Sequence, residues 1–289
     1  MSEARISAGD EGGLPPALYV VATPLGNLGD ITLRALETLR RAQVIACEDT
    51  RHTRRLLEHF GIGAKLLALH EHNEEEAARR LNDLLAAGKT VAMVSDAGTP
   101  AISDPGARAV ARVRAAGHRV VPIPGPNAAI AALSAAGVAD AHFLFYGFLP
   151  AKSGARRSEI EALRPLPFAL VFYEAPHRVA DTVSDLAALL EASRTVVVAR
   201  ELTKLFESVE AMPLGGAGAW LAADENRRRG EFVLIVSGAP GDEGRDRDAE
   251  RILRLLLAEL PLKQAVKLAA EITGAHRNAL YRQALDLKE

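Results

Sequence analysis

Short apolar runs and amphipathic segments alternate along the chain from Ala17 onward. ALYVVA leads into a helical pattern over about 32–41 and then QVIAC. Helical patterns around 51–60 and 74–87 precede TVAMV, and another near 107–116 precedes HRVVPI. Strands that alternate with helices of about 10 to 15 residues predict right-handed βαβ units and a mostly parallel sheet. Ligands of such sheets sit outside the carboxyl ends of the strands. The segments that follow the strands are therefore the informative ones: TPLGNLGD, EDTRHT, SDAGTPAISDPG and PGPN. Turns favour Gly, Pro, Asn and Asp for conformational reasons alone, yet four such clusters at one sheet edge point to a site. Two local expectations go with them: Asp30 as N-cap of the helix after TPLGNLGD, and Asp104 with Pro105 as N-cap and first residue of the helix after SDAGTPAISDPG.

Beyond Pro126 the alternation resumes, with strands at HFLFYGF, FALVFY, RTVVVA and EFVLIV, so a second α/β unit is predicted over 127–240 after a first over 17–126. A cleft between two such units is a common ligand site. AKSGARR reads as a flexible surface loop and GAPGDEGRDRD as a charged linker over 238–248. The tail over 249–289 is helical by pattern. Leu262, Ala265, Val266, Ala269 and Ile272 recur at helix spacing, Gly274 suits a C-cap, and a second helix carries Leu280, Tyr281 and Ala284. Two helices around a Gly turn resemble a helix-turn-helix. From Glu250 the tail has seven Lys or Arg against five Asp or Glu, so packing and RNA contact are both open to it. Residues 1–16 mix acids with Gly and Pro and read as a disordered leader without an export signal.

Charge and cysteine content narrow the chemistry. The net charge of -2 over 289 residues excludes a globally basic nucleic-acid binder, although local clusters still matter. The one cysteine, Cys47, excludes an internal disulfide framework and a cysteine-based zinc site, and places the chain in a reducing cytoplasm. No apolar run approaches the roughly 20 residues that cross a bilayer. TPLGNLGD lacks both the dinucleotide and the Walker spacing, and no G-x-S-x-G occurs. His70 and His72 lie two apart with no third ligand placed by pattern, so no metal site is expected. Basic residues cluster at Arg51, His52, Arg54 and Arg55, at Lys152, Arg156 and Arg157, and at Arg227 to Arg229. Near the loops of one cleft, such clusters suit a polyanion.

The motifs are specific in combination. LYVVATPLGNLGDITLRALETL, CEDTRHTRRLL, LHEHNE, VSDAGTPAISDPG, PIPGPNAAIAAL, FYGFLP, FYEAPHRV, ARELTKLFE and GEFVLIVSG stand in this order over about 17–238. The chain thereby resembles the ribosomal small-subunit methyltransferase I family, which is of the tetrapyrrole-methylase-like class. The resemblance implies two α/β domains with a cofactor cleft between them and a helical tail. It also implies S-adenosylmethionine as cofactor, 2′-O-methylation of a cytidine ribose in 16S rRNA of the small ribosomal subunit as the reaction, and a homodimer.

Aligned with tetrapyrrole methylases, the cofactor-contacting positions fall on Leu25, on Ala97, Gly98, Thr99 and Ile102, on Asn127 and Ala128, on Glu174 and on Ala211. Pro24, Thr99 and Glu174 depart from the class pattern, which is acceptable where backbone groups make the contact. Asp49, at the end of a strand, is the expected base or hydroxyl orienter, with an ion pair to Arg51 as its structural alternative. Lys204 is expected to lower the hydroxyl pKa or hold a phosphate, with an ion pair to Glu201 as its alternative. Arg51, Arg54, Arg55, Lys152, Arg156 and Arg157 are the expected RNA contacts. Two other functions remain open: a small-molecule methylase of the tetrapyrrole type, and a non-enzymatic RNA-binding or ribosome-assembly factor with a degenerate cleft.

Overall fold

The computed structural model describes residues 14–70, 72–240 and 243–287, with the backbone alone for 243–248 and 286. The leader expected over 1–16 lies almost wholly outside the described residues.

The first half alternates as its pattern predicts: β1 (Leu18–Val21), α1 (Leu33–Arg41), β2 (Val44–Cys47), α2 (Thr50–His59), β3 (Lys65–Ala68), α3 (Glu74–Ala86), β4 (Val91–Val94), α4 (Ala107–Ala115) and β5 (Val120–Ile123). The sheet order is β3-β2-β4-β1-β5 and every pairing is parallel. Alternate strand residues face opposite sides. Tyr19 and Val21 pack with Leu36, Leu39 and Leu57, from α1 and α2, whereas Leu18 packs with Leu81, Leu85 and Val113, from α3 and α4. With both faces covered, the carboxyl edge is where polar loops have room. Strand β3 lay outside the predicted set, because KLLA is a short, half-exposed edge strand without β-branched residues. Asp30 closes a short 3-10 turn, and Thr32 caps α1 by accepting from the Ala35 N–H at 3.1 Å.

The second half contains α5 (Ala128–Ala136), β6 (Phe143–Phe148), α6 (Ser153–Leu163), β7 (Ala169–Glu174), α7 (Val179–Leu189), β8 (Thr195–Arg200), β9 (Ser208–Pro213), α8 (Leu214–Ala222) and β10 (Phe232–Val236). Its sheet, β6-β7-β10-β8-β9, is mixed: only β6 and β7 run parallel. One face is covered by α5, whose Ala129, Ala132 and Ala136 let the helix lie close on Val171, Val197 and Ile235. The other face is covered by α6, α7 and α8. The edge strand β9, SVEAMP, is too polar to read as a strand.

Two predicted irregular segments are helical instead. AKSGARR enters α6, where Gly154 in the first turn does not outweigh Ala, Glu, Arg and Leu downstream. The charged linker is helical from Glu243, the start of α9 (Glu243–Glu259). With α10 (Leu262–Thr273) and α11 (Arg277–Asp286) this helix forms a three-helix tail around Leu253, Val266, Ala269 and Leu280. Gly274 ends α10 with φ 69°, a left-handed C-cap. Among the described residues no helix is long and apolar enough to cross a membrane.

Candidate functional site

Four loops at the carboxyl edge of the parallel sheet are stitched together by hydrogen bonds. Thr23 and Gly98 exchange backbone bonds of 2.9 and 3.0 Å, joining the loops after β1 and β4. The Thr23 hydroxyl donates to the Ser95 carbonyl at 3.1 Å. The Thr99 hydroxyl donates to the Pro126 carbonyl at 3.0 Å, reaching the loop after β5. The Asp49 N–H donates to Asp96 at 3.1 Å, reaching the loop after β2. The density of Gly, Pro, Ser, Thr and Asp after these strands is thus the material of one platform.

Above the platform lies a cavity of about 270 Å³, walled on its far side by the mixed sheet. Of the nine positions carried over for the cofactor, Leu25, Ala97, Gly98, Thr99, Ile102, Asn127, Ala128 and Glu174 line it together. Ala211 does not. It is exposed on edge strand β9, opposite Val197, whereas the cavity meets the β8 end at Ala199.

The departures from the class pattern have a geometric resolution. The Glu174 carboxylate turns inward, accepting from the Thr182 hydroxyl at 2.6 Å and pairing with Arg178 at 3.2 Å, so its backbone is what remains for the cavity. The Thr99 hydroxyl is likewise spent on Pro126. Gly98 has φ 76°, and a Cβ there would stand 3.1 Å from Leu25 Cδ2, within the cradle.

Several lining residues lie in the quoted motifs but were not singled out as site positions. Ala199, Leu202, Phe232 and Val233 supply an apolar wall from the second sheet, and Tyr173, Phe148 and Asp104 complete it. Tyr173 and Phe148 lie in the motifs FYEAPHRV and FYGFLP, which was the available clue. The Asp104 carboxyl is pushed up to about 6, first by burial and then by Glu48, with Asp96 adding and the Ser95 hydroxyl opposing. Glu48 itself is raised, by burial and by Asp96.

The two expected catalytic side chains are otherwise engaged. Asp49 caps α2, accepting from the Arg51 N–H at 2.7 Å and the His52 N–H at 3.4 Å, and pairs with the Arg51 guanidinium at 3.3 Å. The Arg51 N–H and side chain hold its carboxyl below the usual range, and it does not line the cavity. Lys204 does line it, but its ammonium sits between Glu201 at 2.9 Å and Glu231 at 2.8 Å. Burial works against its charge, yet Glu231 and Glu201 together hold its pKa above the ordinary value, so it keeps its proton.

The expected RNA contacts divide. Arg51, Arg54 and Arg55 are exposed on α2, beside the platform. Lys152 is exposed just before α6. Arg156 is withdrawn: its side chain is 5% exposed and its Nε binds Asp185 at 2.7 Å. Arg157 shares the same carboxylate at 2.9 Å. A buried arginine that neutralises Asp185 has no free donor face for a phosphate, which corrects the expectation for Arg156. Arg227 lies over the Trp220 ring at 4.6 Å. Cys47 is buried in β2 and free, and no group of metal-ligating residues assembles among the described residues.

Comparison with known proteins follows the same lines. Residues 17–218 match the model of the tetrapyrrole (corrin/porphyrin) methylases, and residues 243–288 match that of the RsmI C-terminal HTH domain. Ribosomal RNA small subunit methyltransferase I of Escherichia coli O157:H7 is 55% identical over 270 residues, 93% of this chain and 94% of that protein. Its counterpart in Pseudomonas aeruginosa is 53% identical over 271 residues, 93% of this chain and 96% of that protein. Among solved structures, a uroporphyrin-III C-methyltransferase from Thermus thermophilus, complexed with S-adenyl homocysteine, has a TM-score of 0.53. It is 17% identical and covers 76% of this chain and 96% of its own, a likeness of fold alone.

Proposed function

The chain belongs to the ribosomal RNA small subunit methyltransferase I family, within the tetrapyrrole methylases, and from this we propose that it methylates the 2′-oxygen of a cytidine ribose in 16S rRNA of the small ribosomal subunit. It is an S-adenosylmethionine-dependent rRNA methyltransferase. The observation that carries the cofactor assignment is the convergence of eight expected positions on one cavity between the two sheets.

The cavity suits that cofactor chemically. Its floor offers backbone groups at Ala97 and Thr99, and its walls are largely aliphatic. When bound, S-adenosylmethionine supplies an electrophilic methyl group whose sulfonium charge disappears on transfer. Little new charge then needs stabilising, and the platform's task is alignment. Positioning of this kind supplies roughly 7 to 11 kcal/mol in well-oriented systems. The apolar wall of Ala199, Phe232 and Val233 excludes water from the reacting side. Exposed Arg54 and Arg55 on α2 are suited to hold phosphates, a contact that weakens with added salt because each released counterion then gains less entropy.

A homodimer is part of the same reading. Exposed Leu28, Leu205 and Phe206, the last two 89% and 66% accessible, belong to segments that meet where the Lys204 stem lies on Gly26, and a twofold contact would cover them. Incubation with methyl-labelled S-adenosylmethionine and small ribosomal subunits is expected to label one cytidine ribose. Label on a porphyrinoid alone, or none on rRNA, refutes the assignment.

A further inference from the structure

Asp104 is the ionisable side chain in the cavity that the fold leaves without a charged partner, its one side-chain hydrogen bond being to the Ser95 hydroxyl. The chain pattern marks it as the N-cap of α4, but that role belongs to Glu74. From α3, the buried Glu74 carboxylate accepts from the Gly106 N–H at 3.0 Å, the Arg108 N–H at 2.9 Å and the Ala109 N–H at 3.3 Å. Asp104 is thereby released to the cavity wall. It is carried there by a loop with left-handed Ala101 (φ 67°) and Ser103 (φ 61°). Non-glycine residues in that region cost about 1–3 kcal/mol each and persist where the surrounding structure holds them there.

The other ionisable groups of the lining are all compensated. Glu174 is bound to Thr182 and Arg178, and Lys204 and Glu231 bind each other. The Tyr173 hydroxyl accepts from the Ala129 N–H at 3.2 Å. Asp104 has no ion-pair partner among the described residues. The groups that act on it are Glu48 and Asp96, from the loops after β2 and β4, Tyr173 from β7 and the Ser95 hydroxyl, while His70 acts on Glu48.

Building on the methyltransferase reading above, we propose that Asp104 is the catalytic base, its carboxylate accepting the proton of the ribose 2′-hydroxyl as that oxygen takes the methyl group. An O–C bond forms, the C–S bond breaks with its electron pair passing to sulfur, and the proton leaves Asp104 for solvent once product departs. A carboxyl near 6 is ionised at pH 7 yet more basic than an ordinary aspartate. That is the compromise general base catalysis favours.

The test uses the full chain and its Asp104→Asn variant. Single-turnover methylation of small ribosomal subunits is followed against pH at saturating S-adenosylmethionine, and cofactor affinity is measured by calorimetry. The variant is expected to bind the cofactor as the wild type does, which also reports its folding, and to lose about 10²–10⁴ in rate. The wild-type rate is expected to rise with pH and level off above an inflection near 6, an inflection the variant lacks. A variant whose loss lies in cofactor affinity, with an unchanged rate at saturation, overturns the proposal and makes Asp104 an anchor for the cofactor's positive charge. An equally active variant overturns it too. A wild-type protein that binds the cofactor but labels no ribose overturns the functional reading along with it.

Discussion

Two loops face each other across the cavity, residues 95–106 after β4 and 200–207 after β8. Between them they hold every left-handed non-glycine residue among the described residues: Ala101 and Ser103 in one, Glu201 and Thr203 in the other. The second loop is closed on itself. Lys204 joins Glu201 to Glu231, Glu201 also accepts from the Glu231 N–H, and the Glu207 carboxylate accepts from the Thr203 N–H. Its charged side chains are engaged with one another, with Glu231 or with nearby polar groups, and none is left without a partner. The first loop spends its polar groups on neighbouring loops and leaves one carboxyl, Asp104, uncompensated and facing the cavity. Strain alone therefore does not mark chemistry here. What separates a wall from a working surface is whether the loop neutralises its own charge.

If the first loop owes its shape to Glu74, removing that carboxylate breaks the contrast most. Glu74→Ala leaves three N–H groups at the start of α4 without their acceptor, those of Gly106 and Ala109 buried, for an expected loss of roughly 3 kcal/mol. Urea denaturation measures it, and calorimetry should show weakened S-adenosylmethionine binding. Unchanged cofactor binding would mean that the loop holds its form without α4. Gly98→Ala comes next. A Cβ at φ 76° presses on Leu25 at 3.1 Å, and the left-handed backbone alone costs about 1–2 kcal/mol. Lower stability and lower cofactor affinity are expected together, because the same residue both bonds Thr23 and floors the cavity.

The sequence made the first loop far more legible than the second. Strand-to-helix alternation places 95–106 at a sheet edge, and its composition marks it as more than a turn. The helix pattern also anticipates α1 to α4 within a residue or two, because both faces of a parallel sheet impose clear periodicity. The second sheet is mixed and its edge strand β9 is polar, so ARELTKLFE appears only as a motif without a place. Long-range pairing was invisible in the same way. Asp104 and Pro105 have the local order of a helix start, and only the approach of α3 reveals Glu74 as the cap. Arg156 has the look of a surface base in a glycine-containing loop, and only α7, bringing Asp185, explains its burial.

The self-neutralised loop makes a milder prediction. Lys204→Met keeps the stem over Gly26 and removes the charge, leaving Glu201 and Glu231 without their shared cation. Exposed and half-exposed pairs are worth little, so about 1 kcal/mol of stability is expected to go, and the deficit to shrink in high salt. In the wild type this triad is silent near neutrality. Burial works against both charges, yet Lys204 holds Glu201 low while Glu231 and Glu201 hold Lys204 high. The Glu201 contribution is present above its unfolded pKa and is lost only as acid carries pH down through its folded value. The Lys204 contribution is present below its unfolded pKa and is lost only as pH rises through the raised one. Thermal melts between these limits should show the wild type and variant separated by a constant interval.

Asp104 predicts the opposite dependence, smaller in size and distinctive in sign. Its folded pKa, about 6, lies above the ordinary aspartate value of 3.8, so the folded state favours the protonated form. Below the unfolded value both states are protonated and the residue contributes nothing. Between the two values the unfolded chain gives up its proton first, and stability falls as pH rises. Above the folded value a constant penalty remains, below about 1 kcal/mol once solvent screening of a partly exposed group is counted. Asp104→Asn has no such proton to lose. Melts of the two proteins should coincide well below pH 3.8, diverge as pH rises from there to about 6, and stay apart above it with the variant the more stable. A variant less stable at every pH would show the carboxylate to be a structural contact, like those of the facing loop. A variant more stable in neutral solution and inactive there would show an ionised carboxylate kept at a cost to the fold, because the cavity's chemistry uses it.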